Sequence, residues 1–486
     1  MSPAIVTPSS RALYYALVSR ILLLSLIATW RVLFRPYDTS ASLNPPCLST
    51  SNHSQPSNQI QWPRVASALE SSVVWDGVYF VRIAECGYEY EQTYAFLPLL
   101  PISMSLLSRS VFAPLVPLIG YRAVLTLSGY ILNNVAFVFA TLYLYRLSNL
   151  ILKDPVAALR ASLLFCLNPA SIFYSSIYSE SLYALFSIGG LYHLLSGSST
   201  LAMLMFALSG SARSNGAVNA GYICFMALMQ AIGAFFQKKK PFLAVGVLLV
   251  GFLRSAFIFA PFLLFQAYAY LNICRSGNRE PRPWCQANVP LLYGFIQGHY
   301  WGVGFLRYFQ IKQLPNFLLA SPTISLALGS IIFYTRILRN NFIPSSLLEV
   351  KSTERKRSYG SVSTSDSMSS SKGVSMLRQR RSERASGESE PTIQTSNQKK
   401  ESDPNIILFL PFILHLAFMT FTAFFVMHVQ VSTRFLSASP PIYWFGSHVL
   451  SSQNSSSRRW GYLIMVYFVM YILLGSLLFS NFYPFT

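Results

Sequence analysis

Asp76 is the residue whose type and setting point most directly to chemistry. It follows Trp75 just beyond the first hydrophobic run, in a stretch that also carries Glu70, Glu85, Glu89 and Glu91. Acid is scarce in this chain: of 17 Asp and Glu, eight fall in a polar insert within 336–403 and five of the remaining nine lie between residues 70 and 91. Carboxylates gathered beside apolar sequence suit proton transfer or cation binding. Glu180 in Tyr178-Ser179-Glu180-Ser181, Arg213 in Arg213-Ser214-Asn215-Gly216, and Arg434 near His428, Gln430 and Thr433 join it as candidates. A carboxylate can take the proton of an acceptor hydroxyl, which is otherwise a poor nucleophile at neutral pH. Guanidinium groups match phosphate oxygens bidentately, so Arg82, Arg213 and Arg434 are candidates for steadying an anionic leaving group. Plainer roles stand beside these: Trp75 as an interfacial anchor, Asp76 as a helix cap, and Glu85, Glu89 and Glu91 as a solvated face. Glu180 could pair structurally with an arginine, and His428 could be a core hydrogen-bonder. No spacing among the acids specifies a metal, and none is expected.

The elements that must position these residues are membrane helices. With 52% hydrophobic and 11% charged residues and a mean hydropathy of +0.42, the chain is outside the range of soluble globules, whose charged fraction is about a quarter. It reads as an all-α polytopic membrane protein. Apolar runs of about 20 residues place ten or eleven spans near 12–34, 122–146, 156–176, 181–196, 199–212, 217–236, 242–272, 317–338, 405–428, 438–452 and 461–481. The first has no small-residue cleavage site and is read as retained. The segment 94–117 is apolar but broken by Pro98, Pro101, Pro114 and Pro117, and is expected to lie along the membrane surface. The net charge of +20 lies largely in short loops and the insert beside apolar spans, the positive-inside pattern, and does not indicate nucleic acid.

Lys238-Lys239-Lys240 and the insert after Arg336 are taken as cytoplasmic. Loops 35–118 and 273–316, the turn at 429–437 and the C-terminal Asn481-Phe482-Tyr483-Pro484 then face a lumen, as does the sequon Asn52-His53-Ser54. On this topology Cys47, Cys86, Cys274 and Cys285 meet an oxidising space, with Cys274–Cys285 the favoured local disulfide, while Cys166 and Cys224 lie in the membrane. Residues 1–339 are read as a transmembrane catalytic module that 404–486 completes. The intervening 340–403, rich in Ser, Lys, Arg, Glu and Gln, is expected to be a disordered cytoplasmic insert.

Trp75-Asp76, Ile83-Ala84-Glu85-Cys86-Gly87-Tyr88-Glu89-Tyr90-Glu91 and Ala95-Phe96-Leu97-Pro98 resemble the first lumenal loop of the GPI mannosyltransferase 2 family. The likeness continues in order through Asn168-Pro169-Ala170, Tyr178-Ser179-Glu180-Ser181-Leu182, Arg213-Ser214-Asn215-Gly216, Gln297 to Tyr300-Trp301, Pro315-Asn316-Phe317-Leu318, His428-Val429-Gln430-Val431, Thr433-Arg434-Phe435 and Asn481-Phe482-Tyr483-Pro484. The resemblance implies a GT-C-type multi-helix bundle in the endoplasmic-reticulum membrane, its active site lumenal and its first loop carrying short surface helices. It implies transfer of mannose from dolichyl-phosphate-mannose to the first mannose of a GPI-anchor precursor, forming an α-1,6 linkage; a single inverting displacement is the mechanism expected for it. The lipid-linked donor is a substrate, so no cofactor is expected. The partners are that donor, the GPI precursor glycolipid, membrane lipids and a small membrane subunit. By the same resemblance Trp75 and Asp76 map onto the lumenal acidic motif expected to be catalytic; with Asp76 as the proton acceptor, Trp75, Glu85, Glu89, Glu180, Arg213, Gln430 and Arg434 are read as substrate-binding. The serine-rich insert departs from the shorter members of the family.

Two other functions fit the residues. One is another dolichol-phosphate-sugar transferase, acting on an N-glycan precursor or on protein. The other is a lipid transporter or scramblase, whose pathway would also carry polar groups and broken helices.

Overall fold

The structure is a computed structural model that describes residues 7–37, 47–48, 60–275, 282–342 and 407–483. The described residues form helices, short 3-10 turns and one π-turn, with no strand among them. The favoured reading of 340–403 as a disordered insert, like the Asn52 sequon, falls almost wholly outside the described residues.

The chain opens with α1 (Pro8–Leu33), whose first turn is closed by Thr7 accepting from the Ser10 amide. Four short helices follow: α2 (Pro63–Ser71), α3 (Asp76–Cys86), α4 (Leu99–Arg109) and α5 (Val116–Ile119). Next come the long α6 (Tyr121–Leu152), then α7 (Pro155–Cys166), α8 (Ser171–Ser175), α9 (Glu180–Leu195), α10 (Ser199–Ala212), α11 (Ala220–Ile232) and α12 (Pro241–Cys274). The last third holds α13 (Leu292–His299), α14 (Leu314–Phe342), α15 (Phe409–Phe425), α16 (Ser432–Phe435), α17 (Pro440–Ser451) and α18 (Ser455–Ser480).

Six stretches among the described residues are long and apolar enough to cross a bilayer: α1, α6, Ser214–Gln237 around α11, α12, Ile311–Asn341 around α14, and α18. The other expected spans are present as shorter helices. A 12-residue helix such as α7 rises about 18 Å, short of a hydrocarbon core of about 30 Å. The expected span 156–176 is in fact two pieces, because Asn168-Pro169 separates α7 from α8. The proline-broken segment 94–117 folds as two helical pieces bent by 68°. The α7–α8 interruption lies next to Phe173 and Tyr178, which pack on Arg434, where backbone freed from a regular helix can be satisfied by protein.

Chain contacts divide into two compact units. The first, residues 1–334 with 408–486, contains every site discussed below. Its centre is α6 packed on α7 and α9, with α10 bridging α9 to α12. The second unit is 335–407, described here only from Thr335 to Phe342 and at Ile407.

Disulfides join Cys274 to Cys285, as expected, and also Cys47 to Cys86, a pairing that composition alone does not select. Cys166 and Cys224 are free. The sulfurs of Cys47 and Cys86 lie near a Glu89 oxygen, but the disulfide leaves no thiolate there for a metal.

Candidate functional site

Five chain segments converge on one cavity of about 330 Å³, lined among others by Asp76, Phe80, Phe96, Ser179, Arg213, Tyr293, Gln297, Trp301, His428 and Arg434. Asp76 is the first residue of α3, so its carboxylate sits at the positive end of the helix dipole. Trp75 before it has φ +53°, a conformation that costs a non-glycine residue energy and must be held from outside. The restraint is visible. The Trp75 indole Nε1 donates to the Phe479 carbonyl at 3.2 Å, its ring lies 5.6 Å from that of Phe482, and the Asp76 amide donates to the Tyr178 hydroxyl at 3.0 Å. Phe479 and Phe482 thus act at the site from the far end of the chain.

The charged groups form a single network. Arg434 donates from Nε to Glu180 Oε1 at 2.7 Å and from Nη2 to Asp76 Oδ2 at 3.4 Å. Arg213 ion-pairs with the same Glu180 oxygen. Glu180 is almost wholly buried, the two arginines nearly so, whereas the Asp76 side chain keeps 38% of its surface open. The guanidinium of Arg434 lies against the rings of Phe173 and Tyr178, 4.5 and 4.8 Å from their centroids, which fixes its plane. Two carboxylates balance two guanidiniums, and Asp76 is the acid that faces the cavity.

The Asp76 carboxyl is shifted above its ordinary value of 3.8. Removal from bulk water is the leading cause, opposed by the nearby Arg434 and reinforced by Glu180. The openness of the side chain does not contradict this, since the space it faces is a protein-walled cavity.

Local sequence explains how these groups are placed. In Arg213-Ser214-Asn215-Gly216 the chain doubles back against α10, and a Cβ on Gly216 would lie 2.3 Å from the Ser209 carbonyl carbon and oxygen. Only glycine permits that approach, which sets Arg213 and Ser214 at the cavity. The α7–α8 break is held by Arg20 of α1, a residue the sequence did not single out. Its guanidinium donates to the carbonyls of Cys166 and Ser171 and to the hydroxyls of Ser19, Ser171 and Ser175, with Phe137 stacked 3.8 Å away. Phe173 and Tyr178, which flank Arg434, follow directly from that break.

The candidates from sequence therefore separate. Asp76, Glu180, Arg213 and Arg434 come together. Trp75 adjoins them but turns its ring to Phe482 and is not among the residues lining the cavity. Glu89 is buried in an ion pair with Arg82 at 2.7 Å and accepts from the Leu48 amide. Glu85 binds Arg122 at 2.8 Å and borders a different cavity, with Arg109 and Tyr268. Glu91 accepts from Trp284 and Tyr300. Gln430 lies on the turn before Arg434 with its Oε1 buried and unpartnered among the described residues. His428 bonds the Trp301 carbonyl at 2.8 Å, close to its plainer expected role, although it also lines the cavity. Tyr293 and Ser214 were not named as site residues. Gln297 and Trp301 appeared only as motif residues, and their shared run was the available signal.

Comparison with known proteins covers nearly the whole chain. The sequence model described as Mannosyltransferase (PIG-V) matches residues 10–486. Human GPI alpha-1,6-mannosyltransferase 2 is 29% identical over 98% of both chains. The protein of the same name from Cricetulus griseus is 31% identical, over 93% of this chain and 86% of its own. GPI mannosyltransferase 2 of Drosophila melanogaster is 28% identical over 85% and 86%. No solved structure matches. A match over residues 10–486 takes in every segment that builds the cavity, and this chain belongs to the mannosyltransferase (PIG-V) family.

Proposed function

We propose that this protein transfers mannose from dolichyl-phosphate-mannose to the first mannose of a GPI-anchor precursor, in the endoplasmic-reticulum membrane with the cavity on the lumenal side, and forms an α-1,6 linkage with inversion. The observation that carries the reading is the pairing of one accessible carboxylate, Asp76, with two arginines anchored on the buried Glu180. That set matches a reaction in which a hydroxyl loses a proton as a phosphate departs.

In this mechanism Asp76 accepts the proton of the acceptor's 6-hydroxyl while that oxygen attacks the anomeric carbon. The bond from that carbon to the phosphate oxygen breaks, and dolichyl phosphate leaves with the electron pair. A raised carboxyl value suits a general base, whose best value lies nearer the working pH. Arg434 and Arg213 hold donors toward the anion before it forms, and preorganised donors of this kind cost no rearrangement at the moment of reaction. Glu180 acts through them by fixing their planes. The lipid tails would lie against exposed apolar helix faces such as those of α12, where Phe252, Leu264 and Leu271 are open. A small membrane subunit, inferred only from the family resemblance, would associate outside the cavity.

The deciding experiment supplies labelled dolichyl-phosphate-mannose to membranes from null cells that express the chain. Mannosylated glucosaminyl-inositol phospholipid is offered as acceptor in parallel with an oligosaccharide-lipid. Labelling of the first acceptor alone is the expected outcome. Labelling of the oligosaccharide-lipid alone would replace the acceptor assignment, and lipid flux in proteoliposomes that survives Asp76→Asn would replace transfer with transport.

A further inference from the structure

The cavity has a second kind of wall that the proton-transfer and phosphate chemistry does not use. It is built by α13 and the turn after it. Tyr293 and Gln297 are four residues apart and so share a helix face, and both line the cavity, followed by Trp301 and Val303. None of these carries a charge. They face a space whose other lining includes Asp76, Arg213 and Arg434.

The wall is held rigidly by contacts that leave its working groups in place. The Tyr293 amide donates to the Gln266 side chain of α12 at 2.9 Å, and its ring packs edge-on against Phe262 at 5.7 Å. Its hydroxyl accepts from Ser214 at 2.8 Å, one residue from Arg213. The loop carrying Trp301 is pinned through its backbone. His428 bonds the Trp301 carbonyl, the Gly304 amide donates to Val426 at 3.1 Å, and the Leu306 amide donates to Phe425 at 2.7 Å. Trp301 as a residue is 38% exposed, and its ring meets Phe96 edge-on at 6.3 Å.

A fixed, partly open aromatic plane beside an amide and a phenol is suited to an uncharged, hydroxyl-rich ring. The apolar face of a pyranose covers the indole, and its hydroxyls exchange hydrogen bonds with neutral donors and acceptors. A phosphate would find no cation on this wall. We infer that Trp301, with Gln297 and Tyr293, is the hexopyranose-binding wall of the site and sets its sugar specificity. Trp75, whose ring is committed to Phe482, does not serve as the sugar platform. The inference rests on the reading of the cavity as the place of mannosyl transfer. Two sugars pass through that reaction, the one carried by the lipid phosphate and the one at the end of the acceptor. Both present the same chemistry to Trp301.

Steady-state kinetics of the full chain in membranes separates these cases. Trp301→Ala, Gln297→Ala and Trp301→Phe are compared with the parent, each with donor and acceptor varied in turn. Because the loop is pinned by main-chain bonds, Trp301→Ala leaves those contacts standing. The expected result is a KM raised about tenfold or more in Trp301→Ala for one sugar-bearing substrate, a smaller rise in Gln297→Ala, and near-parental behaviour in Trp301→Phe, which keeps an aromatic face. A rise for the acceptor assigns the wall to the acceptor sugar, and a rise for the donor assigns it to the donor sugar. Unchanged KM for both substrates in Trp301→Ala overturns the inference. So does equal damage from Phe and Ala, which would mark Trp301 as a purely structural residue. If the parent chain transfers no mannose to either acceptor, the reaction itself is misassigned, a failure distinct from parental transfer that is indifferent to Trp301.

Discussion

The two ends of α3 carry acids in opposite circumstances. At its start Asp76 faces a cavity, keeps more than a third of its side chain open and touches Arg434 only at 3.4 Å. Just past its end Glu89 is nearly sealed, its Oε2 within 2.7 Å of Arg82, its other oxygen taken by the Leu48 amide, and the Cys47–Cys86 disulfide alongside. A loosely held acid at a helix start, near a guanidinium shared with a second carboxylate, is poised to change its protonation. A tightly paired acid behind a disulfide is poised to keep a loop in place. The comparison teaches that a cluster of like residues in one loop can divide into cavity-facing and structural groups according to what each is packed against.

The sharpest way to break this division is Asp76→Asn, which keeps the shape and removes the proposed base. Transfer in membranes should fall by about 10²–10⁴-fold, with protein abundance on an immunoblot unchanged. Residual activity near parental would move the base away from Asp76, the only carboxylate lining the cavity among the described residues. Arg434→Lys should come next, with turnover lower by about 10²-fold. A lysine cannot keep its bonds to Glu180 and Asp76 while lying flat against Phe173 and Tyr178. An unchanged rate in that variant would separate Arg434 from the departing phosphate.

At the other end of α3, Glu89→Gln should act on stability rather than on chemistry. Breaking one side of a buried pair costs about 3–5 kcal/mol, so thermal inactivation in detergent should begin at a lower temperature, while the rate per folded molecule stays near parental. A collapse of turnover with unaltered thermal behaviour would erase the distinction between the two ends. Glu91→Gln should be milder, because its one cation among the described residues, the half-exposed Arg282, is 4.0 Å away and a glutamine still offers an oxygen to the Trp284 donor.

Why the sequence could place Asp76, Glu180, Arg213 and Arg434 but not rank Glu85 or Glu89 follows from the same physics. Hydropathy marks helices because a bilayer demands apolar length, so α1, α6, α12 and α18 were legible directly. Rare ionisable residues at the ends of such helices are costly and therefore stand out. Whether a carboxylate then meets a cavity or an arginine depends on partners far along the chain. Glu89 pairs with Arg82 within its own loop, but Glu85 needs Arg122 and Asp76 needs Arg434. The exchange of Trp75 for Trp301 as the open indole has the same origin, since Phe479 and Phe482, more than four hundred residues away, turn Trp75 aside. Arg20 escaped notice because its partners are backbone carbonyls and serine hydroxyls exposed only by the α7–α8 break.

The smallest effect expected is also the one that reads Asp76 in place. Withdrawal from water raises its carboxyl and Arg434 lowers it. A general base must be ionised, so transfer should fail as pH drops through the raised value, and the acid limb of kcat/KM should lie above the ordinary 3.8 of an aspartate. Arg434→Gln removes the opposing cation and leaves the desolvation, which should carry the limb to higher pH along with the loss in rate. Glu89→Gln, remote from the cavity, should leave the limb where it was. A limb that stays fixed in Arg434→Gln would mean that the titrating group is not the carboxylate beside this arginine. A limb that moves in Glu89→Gln would mean that the two ends of α3 titrate as one.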